Sequence, residues 1–310
     1  MRIFICICLL LGFLNACSQD RLDISKVKRE GFNILLLKFE SSPYSYFSVA
    51  PLKPSGPMDG QGIPLYLHKD QGYIYHPVFL FMRMLRLITS FIKTGNEVYL
   101  EQADLYARKM VELADEYNGA LFFPYEFNNK LKGKKPGGKL IYVKAPWYSG
   151  MAQGQALSVF SRLYCLTKKK EYLEIAKKIF KSFLFIERKN GPWVVYVDKR
   201  SYLWIEECPV PEKITILNGF IFGIYGIYDY YLATKDELSK ALFQAAVTTV
   251  KRHIHLYRNK GDRSWYSLGN SHKTTILYHN VHISQLKMLY SMTGDEFFKN
   301  MAWRFYKDAH

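Results

Sequence analysis

The stretch "WYSGMAQGQALSVFSRLYCLT", residues 147–167, joins an amphipathic helix to an unusual helix start. Its second half carries apolar residues at the spacing of one helix face and ends on a threonine: Leu157, Phe160, Tyr164 and Thr167. Its first half holds Gly150 and Gly154, although glycine costs a helix about 1 kcal/mol relative to alanine. The stretch therefore predicts a helix whose start packs closely on a neighbour and whose end turns at Thr167.

Three further threonines repeat this pattern along the chain: Thr94, Thr234 and Thr293. Hydrophobic residues stand three, seven and ten positions before every one of the four, and three of them are followed by an aromatic residue and an alanine at the same offsets. Each threonine then marks a turn between two antiparallel helices. Four helical hairpins predict an all-α fold, an (α/α)4 toroid or barrel. A linear solenoid is the alternative, and the irregular spacing of the repeats argues against it.

In such a toroid the loops leading into the first helix of each pair surround one opening, here called the mouth, where function is expected. Those loops span residues 72–78, 144–155, 211–220 and 274–285. Two segments between the helices, 121–143 and 191–207, alternate aromatic and turn residues and predict short β-hairpins.

The first residues have the layout of a bacterial lipoprotein signal: a short charged start, an apolar run and the tetrapeptide "LNAC" at 14–17. We expect residues 1–16 to be the signal peptide and Cys17 to be the lipidated residue. A plain signal peptide is the alternative. Residues 17–40 are then expected to form the lipidated cysteine and a polar tether, and 41–310 a single barrel domain. The predicted location is the cell envelope, with the chain held to a membrane by its lipid.

The net charge of +16 has two interpretations. It can steer in a polyanionic partner, or it can reflect lysines on a solvated surface. Outside the cytoplasm the expected polyanion is an acidic polysaccharide and not nucleic acid. A homodimer is left open. Cys165 and Cys208 remain after the signal region and are expected to be unpaired, because two isolated cysteines make no disulfide framework.

Several segments together resemble the C-terminal domain of the D-glucuronyl C5-epimerases. They are residues 147–167, "WIEECPVPEKITILNGFIFGIYGIYDYY" at 204–231, "YHNVHISQLKML" at 278–289 and "GIPLYLHKDQGYIYHPV" at 62–78. The resemblance covers residues 60 to 307 and implies an (α/α)4 barrel. The short stretch between Tyr117 and Trp147 leaves no room for that family's β-domain, so the chain resembles a shortened form.

This resemblance implies inversion of C5 of a uronic acid inside an acidic polysaccharide, with no cofactor and no metal. Removing the C5 proton creates an enediolate-like anion, so a base, an acid and hydrogen-bond donors are required. The matching positions are Tyr278, Tyr266 and Glu207. We expect the two phenols to serve the two faces of C5, with pKa values lowered by neighbouring cations, and Glu207 to act through their hydrogen-bond network.

Three positions depart from the family pattern. Cys208 replaces a tyrosine, and Gly269 and Thr275 replace arginines. Lys273, His272 or His279 are the candidates to supply the missing charge.

Eight further residues are expected to contact substrate because they lie in or near the mouth loops: Tyr73, Tyr75, Tyr148, Gln153, Gln155, Asn218, His279 and His282. Each has a plain alternative in packing or capping. His279 and His282 also have a spacing that can bind zinc, although no metal is expected.

Three other functions stay open. A polysaccharide lyase would begin with the same proton abstraction. A glycoside hydrolase would need two carboxylates, for which Glu126, Glu207 and Asp229 are candidates. A lipid-anchored glycan-binding protein would need no chemistry, and the missing arginines favour it.

Overall fold

The computed structural model describes residues 21–131, 140–188, 190–269 and 272–310. The predicted signal peptide and Cys17 lie outside these ranges. Within them, eight α-helices form four consecutive antiparallel pairs. They are α1 (Pro77–Thr94) with α2 (Val98–Glu112), α3 (Gly150–Thr167) with α4 (Lys170–Ser182), α5 (Leu217–Thr234) with α6 (Glu237–His253), and α7 (Ile276–Thr293) with α8 (Glu296–Ala309). No helix of the described residues is long and apolar enough to cross a membrane.

The four threonines end the first helix of each pair, as predicted. Each threonine hydroxyl donates to the carbonyl oxygen four residues earlier at 2.7 Å. It also accepts from the backbone N–H two residues later, at 3.2 to 3.3 Å. The next residue is left-handed in all four turns: Gly95, Lys168, Lys235 and Gly294. The repeated threonine therefore builds the same turn four times.

The aromatic residue three positions before each threonine is not fully buried. The repeat predicts that these four side chains are largely buried, and all four are partly buried in the structure: Phe91, Tyr164, Tyr231 and Tyr290. They lie in the last helical turn, where their carbonyl oxygens accept the N–H of the left-handed residue. That position is near the helix end, where one side of the ring meets water.

The first helices of the pairs are neighbours in the order α1, α3, α5 and α7. Helices α3 and α5 approach closely at glycines, as the sequence predicted for Gly154. A Cβ atom at Gly154 would lie 2.5 Å from Gly223 Cα, and one at Gly226 would lie 2.2 Å from Gly154 O. The two helices can therefore touch only through bare backbone at these positions.

Outside the helices, short strands of the described residues form five two-stranded sheets. Their bounds are β1 Tyr66–His68 with β2 Gly72–Ile74, β3 Asp115–Tyr117 with β4 Ala120–Phe122, β5 Pro124–Tyr125 with β8 Trp147–Tyr148, β6 Asn129–Leu131 with β7 Ile141–Val143, and β9 Val195–Val197 with β10 Leu203–Ile205. The β6–β7 and β9–β10 pairs lie in the segments predicted as hairpins. All pairs are antiparallel.

Residues 21–40 are not a free tether, contrary to the sequence prediction. The N–H of Leu22 donates to Leu184 O at 2.8 Å, and that of Glu30 donates to the Thr248 hydroxyl at 2.7 Å. The N–H of Leu37 donates to the Tyr228 hydroxyl at 3.0 Å. The segment packs because it satisfies its backbone groups on the helices, and the folded domain includes it.

Both cysteines of the described residues are free, as expected. Cys208 is buried and Cys165 is partly exposed.

Candidate functional site

Four predicted side chains meet at the mouth: Glu207, Asn218, Tyr266 and Tyr278. Glu207 follows β10, Asn218 lies in the first turn of α5, and Tyr278 lies in the first turn of α7. The Asn218 amide contacts Glu207 Oε2 at 3.4 Å. The rings of Tyr266 and Tyr278 meet edge to face with centroids 5.5 Å apart. Four separate segments of the chain, including the loop that holds Tyr266, thus deliver one carboxyl, one amide and two phenols to one place.

The neighbouring carboxyl, Glu206, fixes the direction of Glu207. Glu206 is fully buried, and the N–H of Thr215 donates to both of its oxygens at 3.1 Å. Because Glu206 binds this loop, Glu207 turns the other way, onto Gly219. A Cβ atom at Gly219 would lie 2.2 Å from Glu207 Oε2. Gly219 therefore provides the space that the Glu207 carboxyl occupies.

Burial sets the acid–base state of the site. Burial raises the pKa of Glu207 to about 7. It also raises the pKa of Tyr266 and of Tyr278, with the Glu207 charge as the next cause in both. Among the residues that the structure describes, no lysine or arginine pairs with these three groups. The expectation of phenols with lowered pKa values is therefore wrong: both phenols hold their protons near neutral pH.

Unpartnered polar atoms lie beside this cluster. Tyr278, His282 and Gln285 share one face of α7, at spacings of four and three residues. His282 Nε2, Gln285 Oε1 and Asn218 Oδ1 are buried without a hydrogen-bond partner. Burial lowers the pKa of His282 to about 3, so its ring is neutral. Buried polar atoms in folded proteins normally have a partner, so these three indicate a place for water or ligand.

Gln285 was not predicted as a site residue, although the sequence contained the signal. Its position seven residues after Tyr278 places it on the same helix face. Its amide also donates to Asn218 O at 2.9 Å, which ties α7 to α5 beneath the phenols.

Two predicted substrate contacts are instead structural. His279 is fully buried, and its Nε2 bonds the carbonyl of Phe305 at 2.9 Å. Gln153 is also fully buried, and its amide donates to Leu121 O and the Ser182 hydroxyl, both at 2.8 Å. Their polar atoms are occupied by the fold, so neither side chain is free to contact a sugar. Gln155, in contrast, is fully buried with both amide atoms unpartnered.

Two of the remaining predicted contacts have hydroxyls that are bound to carboxylates. The Tyr75 hydroxyl donates to Asp59 at 2.6 Å, and the Tyr148 hydroxyl donates to Asp115 at 2.8 Å. Tyr73 is 58% exposed. Tyr73 and Tyr75, with Glu126 and Phe127 among the other lining residues, form a cleft of about 310 Å³.

The departures from the family pattern have local structural reasons. A Cβ atom at Gly269 would lie 2.5 Å from Ile214 Cα, so no arginine fits at that position without moving the backbone. Thr275 is the N-cap of α7, and its hydroxyl accepts the N–H of Tyr278 at 3.3 Å. The candidate substitute Lys273 is ion-paired with Asp262.

No group of three or more histidine, cysteine, aspartate or glutamate side chains in the described ranges is arranged to hold a metal ion. His279 and His282 both bond the Ser264 hydroxyl, at 3.0 and 2.9 Å. Their predicted pairing on one helix face therefore serves a hydrogen-bond network.

Comparison with known proteins places this site in a family. The family model described as "D-glucuronyl C5-epimerase C-terminus" matches residues 118–307. The D-glucuronyl C5-epimerase of Caenorhabditis elegans is 29% identical over 176 residues, which are 51% of this chain and 28% of that protein. The cellobiose 2-epimerase of Dictyoglomus turgidum is 29% identical over 166 residues, 50% of this chain and 36% of that protein. The chain thus spans well under half the length of these two relatives.

Solved structures confirm the toroid. The cellobiose 2-epimerase of Bacillus thermoamylovorans superposes with a TM-score of 0.52 at 14% identity, over 78% of this chain and 65% of that one. A sugar epimerase from a ruminal bacterium superposes with a TM-score of 0.51 at 12% identity, over 75% of this chain and 59% of that one. At these identities the likeness shows the fold alone.

Proposed function

Because this chain belongs to the D-glucuronyl C5-epimerase family, we propose that it is a carbohydrate epimerase that inverts C5 of a uronic acid within an acidic polysaccharide. One observation carries the proposal. A partly buried carboxyl with its pKa raised to about 7 lies beside two protonated phenols. A general base is most effective when its pKa lies near the working pH, and the acid must keep its proton until it is needed.

The proposed reaction uses Glu207 as base and Tyr278 as acid. The Glu207 carboxylate removes the C5 proton on one face, and the electron pair moves into the substrate carboxylate as an enediolate. The Asn218 amide and the Tyr266 phenol donate hydrogen bonds to the developing charge. Tyr278 then delivers its proton to the opposite face of C5 and becomes a phenolate. Transfer of the Glu207 proton to that phenolate through water restores the starting state.

Deuterated water tests this assignment. The purified protein is incubated with a panel of uronic-acid polymers and with their short oligosaccharides, and C5 deuterium and the epimer ratio are followed by NMR. We expect deuterium at C5 together with the inverted epimer. Deuterium at C5 with neither the inverted epimer nor an unsaturated product would contradict epimerisation. An unsaturated, ultraviolet-absorbing product would establish a lyase.

A neutral sugar is the second candidate substrate, and one observation favours it. No lysine or arginine of the described residues pairs with Glu207 or the two phenols, whereas a bound uronate would bring its own negative charge. A neutral aldose, opened to its aldehyde, has an acidic proton at C2 that the same base and acid could move. Deuterium at C2 of a neutral disaccharide, and none at C5 of a uronate, would decide for this candidate.

We place the protein in the cell envelope, attached by lipid at Cys17. The support is the tetrapeptide at 14–17 that follows an apolar run. Cys17→Ser should release the protein from membranes or leave it unprocessed, and fractionation with metabolic lipid labelling measures this. A Cys17→Ser protein that stays lipidated would contradict the assignment.

A further inference from the structure

The last helix carries large aromatic side chains on its outer surface. Trp303 is 57% exposed and Tyr306 is 50% exposed. The Lys307 ammonium lies 3.9 Å from the centroid of the Trp303 ring, a cation–π contact. Exposed rings of this size cost hydrophobic free energy unless they have a partner, so they point to a binding surface.

Ring contacts link this surface to α7, the helix that carries Tyr278. The ring of Tyr306 stacks on His310 with centroids 4.7 Å apart. His310 in turn lies over His279, with centroids 6.0 Å apart, and His279 directly follows Tyr278. From Trp303 to His310 the helix rises about 10 Å at 1.5 Å per residue. Ring contacts therefore run from Tyr306 through His310 to the buried His279, which directly follows the proposed acid in α7.

The same face is positively charged. Arg304 and Lys307 are exposed, whereas the nearby Asp308 is buried and bound to Arg258 at 2.6 Å. Lys299 is exposed one turn earlier and pairs with Glu296. The acidic group of the last turn thus faces inward while the cations face out. Aromatic rings combined with cations suit a polymer that has both sugar rings and carboxylates.

We propose that this α8 stripe, formed by Trp303, Arg304, Tyr306, Lys307 and His310, binds the part of an acidic polysaccharide chain that extends beyond the mouth. The identity of the polymer rests on the proposed function. The rings stack on successive sugar rings, and Arg304 and Lys307 pair with their carboxylates. The stripe strengthens binding of long chains and takes no part in proton transfer, so short substrates that fill only the mouth do not use it.

Binding and exchange are measured separately to test the stripe. Trp303→Ala/Lys307→Gln is compared with the unmodified protein and with Tyr46→Ala, which removes another ring that is 61% exposed. The probes are hyaluronan, polygalacturonate, their tetrasaccharides, neutral dextran and vesicles of phosphatidylglycerol with phosphatidylcholine. We expect the double variant to bind the acidic polymers at least tenfold more weakly, while tetrasaccharide binding, the exchange rate at saturation and the melting temperature are unchanged. Tyr46→Ala should bind as the unmodified protein does.

Other outcomes overturn the stripe without deciding the chemistry. Equal polymer affinity in the double variant, or no binding of acidic polymers by the unmodified protein, removes the proposal. Loss of vesicle binding with no change in polymer binding assigns the surface to a membrane. A change of oligomeric state in gel filtration assigns it to a contact between copies. If deuterium exchange at C5 persists in any of these cases, the proposed function still stands. If polymer binding depends on the stripe but no deuterium exchange occurs, the proposed function is wrong and the α8 stripe still stands.

Discussion

The ring of Tyr278 meets the ring of Tyr266 edge to face, with centroids 5.5 Å apart and planes at 82°. Because the rings touch, a sugar cannot lie between them. The expectation that the two phenols serve opposite faces of one carbon therefore does not fit this arrangement. Glu207 supplies a carboxyl as the second kind of acid–base group. Burial is the main cause of the raised pKa of both phenols, and the charge of Glu207 is the next cause. We therefore propose that the phenols act on one side of the sugar and the Glu207 carboxyl on the other.

Tyr278→Phe should separate proton exchange from inversion. Glu207 can still remove the C5 proton and return it on the same face, so deuterium enters the starting epimer. Without the phenol the opposite face receives no proton, and inversion should fall by about 100-fold or more, the usual contribution of a positioned acid. NMR of C5 in deuterated water measures both rates. Tyr142→Phe, at a tyrosine 59% exposed, is the matched control. Full inversion by Tyr278→Phe would remove this residue from the mechanism.

Glu207→Gln should abolish exchange and inversion together, because an amide cannot accept the C5 proton. In the unmodified protein, the rate at limiting substrate should rise with pH and level off above pH 7, since burial raises the pKa of Glu207 to about 7 and the base must be ionised. A pH–rate profile with this single ascending limb is the expected result. Exchange by Glu207→Gln near the unmodified rate would assign the base to another group.

Stability should fall as the pH rises from about 4.5 to about 8. Burial raises the pKa of Glu206 from its ordinary value near 4.5 to about 8, so in this window the folded state holds a proton that the unfolded chain has lost. Such a group destabilises the fold as pH rises through this window. Glu207, whose pKa burial raises to about 7, adds to this decline up to about pH 7. His282, whose pKa burial lowers to about 3, has the opposite effect below about pH 6.5, where it offsets one of the two carboxyls.

Urea unfolding at several pH values measures this effect. Glu206→Gln should flatten the decline between about pH 7 and pH 8, above the pKa of Glu207, whereas Glu212→Gln, at an exposed carboxyl, should leave it unchanged. An equal decline in both variants would show that Glu206 is not the group responsible.

The helical hairpins could be predicted from the sequence because their signal is local. A helix face needs one residue every three or four positions, and the turn needs one threonine followed by a left-handed residue. Tyr278, Tyr266 and Glu207 could be found through family resemblance, and the structure brings them together. These features depend on few residues that lie close in the chain.

The wrong expectations depend on contacts between distant segments. The sequence could not show that Leu22 pairs with Leu184, and so residues 21–40 were expected to be a tether. It could not show that Gln153 would bind β4 and α4, or that His279 would bind Phe305 O. Whether an amide or imidazole is free for substrate is decided by which backbone groups the fold brings within about 3 Å of it.

Gly154→Ala should destabilise the fold through the α3–α5 contact. The new methyl would lie 2.5 Å from Gly223 Cα and from Phe222 O, and backbone atoms cannot rotate away. Overpacking of this kind typically costs about 1 to 3 kcal/mol. Thermal unfolding measures it, with Ser158→Ala on the same helix as control, because that buried hydroxyl has no partner to lose. An unchanged melting temperature would mean that the two helices can separate freely.

Breaking the ion pair between Arg162 and Asp229 should be the costliest change far from the mouth. Both side chains are buried, with Arg162 Nε 2.7 Å from Asp229 Oδ2. Arg162 Nη2 also donates to Ser42 Oγ at 3.0 Å and to Pro43 O at 2.7 Å, so it holds the N-terminal segment on the helices. Asp229→Ala leaves a buried cation unpaired, which typically costs about 3 to 5 kcal/mol.

The matched control is the exposed pair Lys177–Glu174, whose loss through Glu174→Ala should cost under about 1 kcal/mol. Arg162→Met/Asp229→Leu should be more stable than Asp229→Ala, because no charge is then left buried. Loss of Arg162 also frees the segment around Ser42, so limited proteolysis should cut the double variant between residues 21 and 45 before the rest of the domain. Urea unfolding and mass mapping of the first cleavage sites measure the two effects. A double variant that resists cleavage there would show that the backbone bonds of Leu22, Glu30 and Leu37 suffice to hold the segment.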